Sequence, residues 1–213
     1  MNSTLLIVLI SFTLFSCNSN KDIKPINSEE QAIIDTLIGL GDKSYTAKNY
    51  EEALEYYEKI TKKHPLYDIA YFKAGLAYLG ISNSSKSYKS YSKAIDLNPN
   101  NPDYYLNRGI VSILDEKFKK AIKDFDKALV LKPNNKEALL KKASCYFYQD
   151  DYDESLKIID LIIKQNIDFA ETYYLRGFIN LDLGKNEEAG NDFNMAKKLG
   201  YEVEPFLFDE ASN

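Results

Sequence analysis

Five times along the chain a small residue is followed four positions on by a large apolar one, and three further on by a small or aliphatic one. The sets are Ala53, Tyr57 and Ile60; Ser87, Tyr91 and Ala94; Ala121, Phe125 and Ala128; Ser155, Ile159 and Ile162; and Ala189, Phe193 and Ala196. Spacings of four and three place such residues on one face of a helix. Each set is preceded by another apolar-periodic segment holding one small residue: Gly41, Gly75, Gly109, Ala143 and Gly177. The columns step by 34 residues without a gap, giving units that begin at Ile34, Asp68, Pro102, Lys136 and Ala170. Each unit therefore predicts two helices. The small residue of the first lets its partner approach, and the aromatic of the second fills the space beside it. Pro65, Pro99 and Pro133 follow the same step and mark the end of the second helix, since proline cannot continue it. Asn101 followed by Pro102 reads as the N-cap and first-turn proline of the next helix.

The pattern changes at both ends. Residues 5–15, "LLIVLISFTLF", form an apolar run too short to span a bilayer and suited to the core of a signal peptide, here residues 1–16. Residues 18–27, "NSNKDIKPIN", are polar and suit a tether that starts at Cys17. Ser28 and Gln31 have the spacing of a capping box, so residues 28–33 are expected to extend the first helix. A stacked array leaves an outer face to cover, and residues 204–213, with Phe206, Leu207 and Phe208, are expected to cap it.

Composition narrows the chemistry. In 213 residues, 45% hydrophobic and 28% charged positions are those of a folded chain. The formal charge is −5, and residues 1–16 contribute none of it. That balance lacks the basic footprint of a nucleic-acid binder, so no nucleic acid is expected as partner. Two cysteines and one histidine cannot supply a disulfide scaffold or a multi-ligand Cys/His zinc site. His64 precedes Pro65 and reads as a cap or surface residue; Cys145 reads as a small core residue; "DDYDE", residues 150–154, reads as a turn and helix start favourable to negative charge. No phosphate-binding loop or catalytic constellation emerges, so the expectation is a non-enzyme with no cofactor and no metal.

The columns resemble the tetratricopeptide repeat, with its W-x2-L-G-x2-Y…A-x3-F…P pattern. "YFKAGLAYL" with "SYSKAIDLNP", and "YYLNRGIVSI" with "KAIKDFDKALVLKP", carry the likeness best. The fourth unit departs from it, with Ile159, Ile162 and Ile167 in place of the aromatic, Ala and Pro, and the fifth has Tyr201 in place of Pro. The resemblance implies an all-α solenoid of about five helix-turn-helix units, 34–67, 68–101, 102–135, 136–169 and 170–203. It also implies a concave groove lined by the first helices. Fifth positions would be Ile38, Phe72, Leu106, Leu140 and Tyr174; ninth positions Asp42, Leu76, Ile110, Ser144 and Phe178. Twelfth positions, from Tyr45 and Leu79 to Ile113, Phe147 and Leu181, are expected to pack between units. The groove residues expected to meet a partner are Phe72, Leu76, Asn107, Ile110, Lys141, Ser144, Tyr174 and Phe178. Some relatives grip a terminal carboxylate with Lys, Asn and Arg. Here Phe72 and Leu76 stand where the first Lys and Asn belong, and Glu137 and Glu171 replace a further Lys, so an apolar or helical segment of a protein or peptide partner fits better.

The start of the chain resembles a bacterial lipoprotein signal. "LFSC", residues 14–17, matches the lipobox with Leu and Ser at their expected places and a bulkier Phe15 between, although residues 2–4 lack the usual Lys or Arg. The resemblance implies lipidation of Cys17, and a multiply acylated cysteine anchors stably where one chain would not. Asn18 rather than Asp follows, which points to the outer membrane. The reading is thus a membrane-anchored, non-catalytic interaction scaffold. Its alternatives are a pilotin-like or outer-membrane assembly factor with one client, or an accessory subunit of an envelope enzyme.

Overall fold

The computed structural model describes residues 26–165 and 169–211, and in these the chain forms helices and no strand. Helices α1 (Ser28–Thr46) and α2 (Tyr50–Lys63) make the first pair. The next pairs are α3 (Asp68–Gly80) with α4 (Ser84–Leu97), α5 (Pro102–Leu114) with α6 (Phe118–Leu131), α7 (Lys136–Phe147) with α8 (Tyr152–Lys164), and α9 (Ala170–Asp182) with α10 (Asn186–Lys198). A short α11 (Pro205–Glu210) follows. Each helix packs on its pair partner, and each second helix packs on the first helix of the next pair, which makes an all-α solenoid.

The helix starts follow local chemistry. The Asn101 side chain accepts from the Asp103 N–H at 3.0 Å with Pro102 at the first helical position, and Asn135 accepts from Ala138 at 3.1 Å. The first helix corrects the sequence reading by one residue. Its capping box is Asn27 with Glu30: the Asn27 side chain accepts from the Glu30 N–H at 2.9 Å, and the Glu30 carboxylate accepts from the Asn27 N–H at 3.2 Å. Ser28 is instead the first helical residue, and the Gln31 side chain donates to Asp35 at 2.8 Å. Two overlapping boxes were available, and the one formed has a carboxylate, Glu30, rather than the Gln31 amide, accepting from the N-cap N–H.

Inside each unit the turn is made by a residue in the left-handed region: Lys48, Ser82, Glu116, Asp150 and Gly184, with φ between 57° and 69°. These positions again step by 34. The amide after each returns to a carbonyl of the preceding helix, as Asn83 to Tyr78 and Lys117 to Ser112, both at 2.8 Å, which ends the first helix and aims the second back along it. Only Gly184 adopts this backbone without Cβ strain.

The core is the column of small and aromatic residues. A Cβ built on Gly75 would lie 2.5 Å from the Tyr91 ring, one on Gly109 2.6 Å from Phe125, and one on Gly177 2.5 Å from Phe193. In the fourth unit Ala143 and Ile159 occupy these places and are both fully buried. An aromatic requires glycine opposite it, whereas the narrower Ile leaves room for a methyl. Behind α10, Leu207 of α11 is 1% exposed against Ala189 and Phe193, while Phe206 points away, 54% exposed. The apolar run 5–15, Cys17, most of the expected tether and Ile167 lie outside the described residues. Among the described helices none is long and apolar enough to cross a membrane.

Candidate functional site

The first helices share a face, because α7 touches α5 and α9 directly as well as its own partner. At the amino-terminal end this face is closed by polar groups. Lys73 of α3 bridges to Asp42 of α1 at 2.8 Å, and the Tyr57 hydroxyl donates to the same carboxylate at 2.7 Å. One unit later Leu76 stands in the column of Asp42 and cannot accept, so the buried Tyr91 hydroxyl has no carboxylate partner of the kind Tyr57 has among the described residues.

Of the side chains singled out from the sequence, those on α3 and α5 are engaged within the array. The Phe72 ring lies 5.0 Å from Tyr104 and 5.7 Å from Tyr91, joining the second and third units. Ile110 is half-buried against the core around Phe125, Leu76 is half-buried, and the Asn107 amide donates to the Asp103 carbonyl of its own helix at 2.8 Å. Leu106 and Leu140, two of the five fifth positions, are buried and belong to the core.

On α7 and α9 the arrangement differs. Lys141, Ser144, Tyr174 and Phe178 line one pocket of about 370 Å³, together with Leu140, Phe147, Tyr148, Glu171, Leu175 and Tyr201. Its aromatic wall is continuous: Tyr174 lies 4.4 Å from Tyr201 and 4.9 Å edge-on from Phe178, which in turn meets Phe193 at 5.7 Å. Tyr174 donates its hydroxyl to Glu204 at 2.9 Å; burial and this bond push its pKa up to about 12, so at neutral pH it is a fixed donor. Ser144 turns its hydroxyl onto the Leu140 carbonyl at 3.0 Å, leaving a small side chain at the pocket floor. Lys141 and Glu171 supply one charge of each sign. Tyr148 and Tyr201 join the lining from outside the groove positions of the repeat, and Tyr201 stands where the repeat expects proline.

Other candidates are quiet. Burial pushes the Cys145 thiol up to about 12, so it stays protonated and inert. His64 ends α2, its backbone N–H donating to the Ile60 carbonyl at 2.7 Å. No group of three metal-ligating side chains is found among the described residues.

Families described as "Tetratricopeptide repeat" match residues 35–67, 112–177 and 170–199, and one described as "TPR repeat" matches 85–112. A search of curated proteins found no match to the chain. Among solved structures, MamA from Desulfovibrio magneticus RS-1 is 14% identical, with a TM-score of 0.73 over 82% of this chain and 97% of that one. YrrB, described as a TPR protein with an unusual peptide-binding site, is 21% identical, with a TM-score of 0.68 over 88% and 99%. The first TPR of Spaghetti (RPAP3), bound to the HSP90 peptide SRMEEVD, is 24% identical, with a TM-score of 0.54 over 56% and 94%. At these identities the likeness is one of fold.

Proposed function

Starting from an array of tetratricopeptide repeats, we propose that the chain is a non-catalytic scaffold of the bacterial envelope, anchored by lipid on Cys17, that holds an apolar or helical segment of another protein on its inner face. The pocket between α7 and α9 carries this reading. It is walled by aromatic rings, with the Ser144 and Tyr174 hydroxyls held by hydrogen bonds and Lys141 and Glu171 beside them, the composition of a site that takes an apolar anchor side chain and orients it. Solved relatives of the same fold include one described by its peptide-binding site and one bound to a peptide, which supports a peptide or protein as the occupant. The anchoring rests on the lipobox-like "LFSC" at residues 14–17.

Because Phe72 and Ile110 pack within the array, charging them would confuse binding with folding. Ser144→Trp tests the pocket instead, since it fills the space while leaving the lining in place. Photocrosslinking from membranes should yield a discrete partner band with the wild-type chain and none with Ser144→Trp at equal melting temperature; an unchanged band would sink the pocket assignment. Fatty-acid labelling should mark the wild type and not Cys17→Ala, and equal labelling would remove the anchor.

A further inference from the structure

Six lysines stand in register on two successive second helices. Lys86, Lys89 and Lys93 of α4 occupy the positions of Lys120, Lys123 and Lys127 of α6, 34 residues on. Steps of three and four place each trio on one stripe of its helix, about 10 Å long. All six are exposed, and none forms an ion pair among the described residues. Lys86 rests over the Tyr78 ring at 5.1 Å. The acids that might neutralise α6 are already taken: Asp124 by Arg108 and Asp126 by Lys142, both at 2.6 Å. On α4 the acid present is Asp96, at the far end of the stripe. In a chain of net charge −5 this is a local reversal of sign.

The band has borders. The corresponding positions carry Glu52, Glu55 and Lys59 on α2, Glu154, Lys157 and Leu161 on α8, and Glu188, Asn191 and Met195 on α10, with Lys157 paired to Glu154; of the five second helices α4 and α6 alone carry lysine at all three. A broad anionic surface such as a bilayer, or a long nucleic-acid duplex, would extend past the band and meet these carboxylates. A segment about two helices wide meets the six lysines, with Asp96 at one end, and beyond roughly 8 Å the flanking acids are screened at physiological salt. We propose that the outer stripe of α4 and α6 docks an acidic polypeptide segment of a partner protein, on helices other than the two that build the inner pocket.

Fluorescence anisotropy of the full chain with a labelled Glu/Asp-rich peptide of about twelve residues tests this. Binding should weaken as salt rises and fall about tenfold in Lys89→Glu/Lys123→Glu, with Lys43→Glu/Lys164→Glu, outside the three columns, as a control that binds like the wild type. Lys89→Gln/Lys123→Gln, with helicity checked by circular dichroism, replaces the reversal if that variant unfolds. No binding, equal loss in both variant pairs, or tighter binding to anionic vesicles or an RNA oligonucleotide than to the peptide would overturn the proposal.

Discussion

The third and fourth units occupy adjacent places in one solenoid and solve the same packing problem differently. In the third, glycine meets an aromatic, Gly109 under Phe125, and Arg108 clamps Asp124 through two hydrogen bonds of 2.9 and 2.6 Å. In the fourth, Ala143 meets Ile159, and the residues at the clamp positions are Lys142 and Ile158, so the lysine reaches back to Asp126 of the previous helix instead. The fifth unit returns to the first solution, with Gly177 under Phe193 and Arg176 on Asp192 at 2.9 and 2.6 Å. The pocket opens on the fourth unit, where the repeat is least regular, and is walled by the fifth. Regular units spend their side chains on each other, and the irregular one leaves space for something else.

The sharpest break of this contrast is Asp124→Ala. It strands Arg108, whose side chain is 19% exposed, without its bidentate partner, and should destabilise by about 3 kcal/mol in urea unfolding. Asp126→Ala, which removes the exposed partner of Lys142, should cost about 0.5 kcal/mol. Equal costs would mean that the clamp does not distinguish the two units. A smaller effect comes from grafting one solution onto the other. Gly109→Ala drives a methyl into the Phe125 ring and should cost about 2 kcal/mol. In Gly109→Ala/Phe125→Ile, which copies the fourth unit, the loss should fall short of the summed single losses by about 1 kcal/mol. Additivity would show that glycine and aromatic are not matched to each other.

Much of this was legible in the chain because the columns that carry the core are columns of side-chain type. Gly, aromatic and Ala repeat in sequence because each fills one shape. The clamp does not stand out in the chain, although Arg108 and Arg176, and Asp124 and Asp192, also lie 68 residues apart; two of five units are too few to make a column. The left-handed turn could not be read at all, since Lys48, Ser82, Glu116, Asp150 and Gly184 share a backbone conformation and no side-chain chemistry. The candidate site was half legible. The register, read with the groove positions that the resemblance implies, set Lys141, Ser144, Tyr174 and Phe178 among the groove residues, and all four line the pocket. Phe72 and Ile110 had the same register, but Phe72 is engaged by Tyr104 of the next unit and Ile110 by the core around Phe125, packing that a position within the repeat does not encode.

The smallest expected effect separates the two regions by pH. In the fifth unit the Tyr174 hydroxyl, bound to Glu204, is pushed from its ordinary value of 10.0 up to about 12. In the third, Tyr104 donates to Asp68 at 2.7 Å, and burial pushes it higher still. A raised folded-state value means that the unfolded chain loses its proton first. The stability that each neutral tyrosine contributes is complete below about pH 10 and declines as pH rises toward the folded value. Tyr174, half-buried where Tyr104 is 1% exposed, meets the smaller desolvation cost and so ionises before Tyr104 on the way up. Its phenolate faces the Glu204 carboxylate, so the wall formed with Tyr201 should loosen between about pH 10 and 12 while the third unit still holds. Tyrosinate absorbance followed together with near-ultraviolet circular dichroism should show an early step in that window, absent from Tyr174→Phe and unaltered by Tyr104→Phe. A single transition common to all three chains would mean that the pocket wall is no weaker than the regular core.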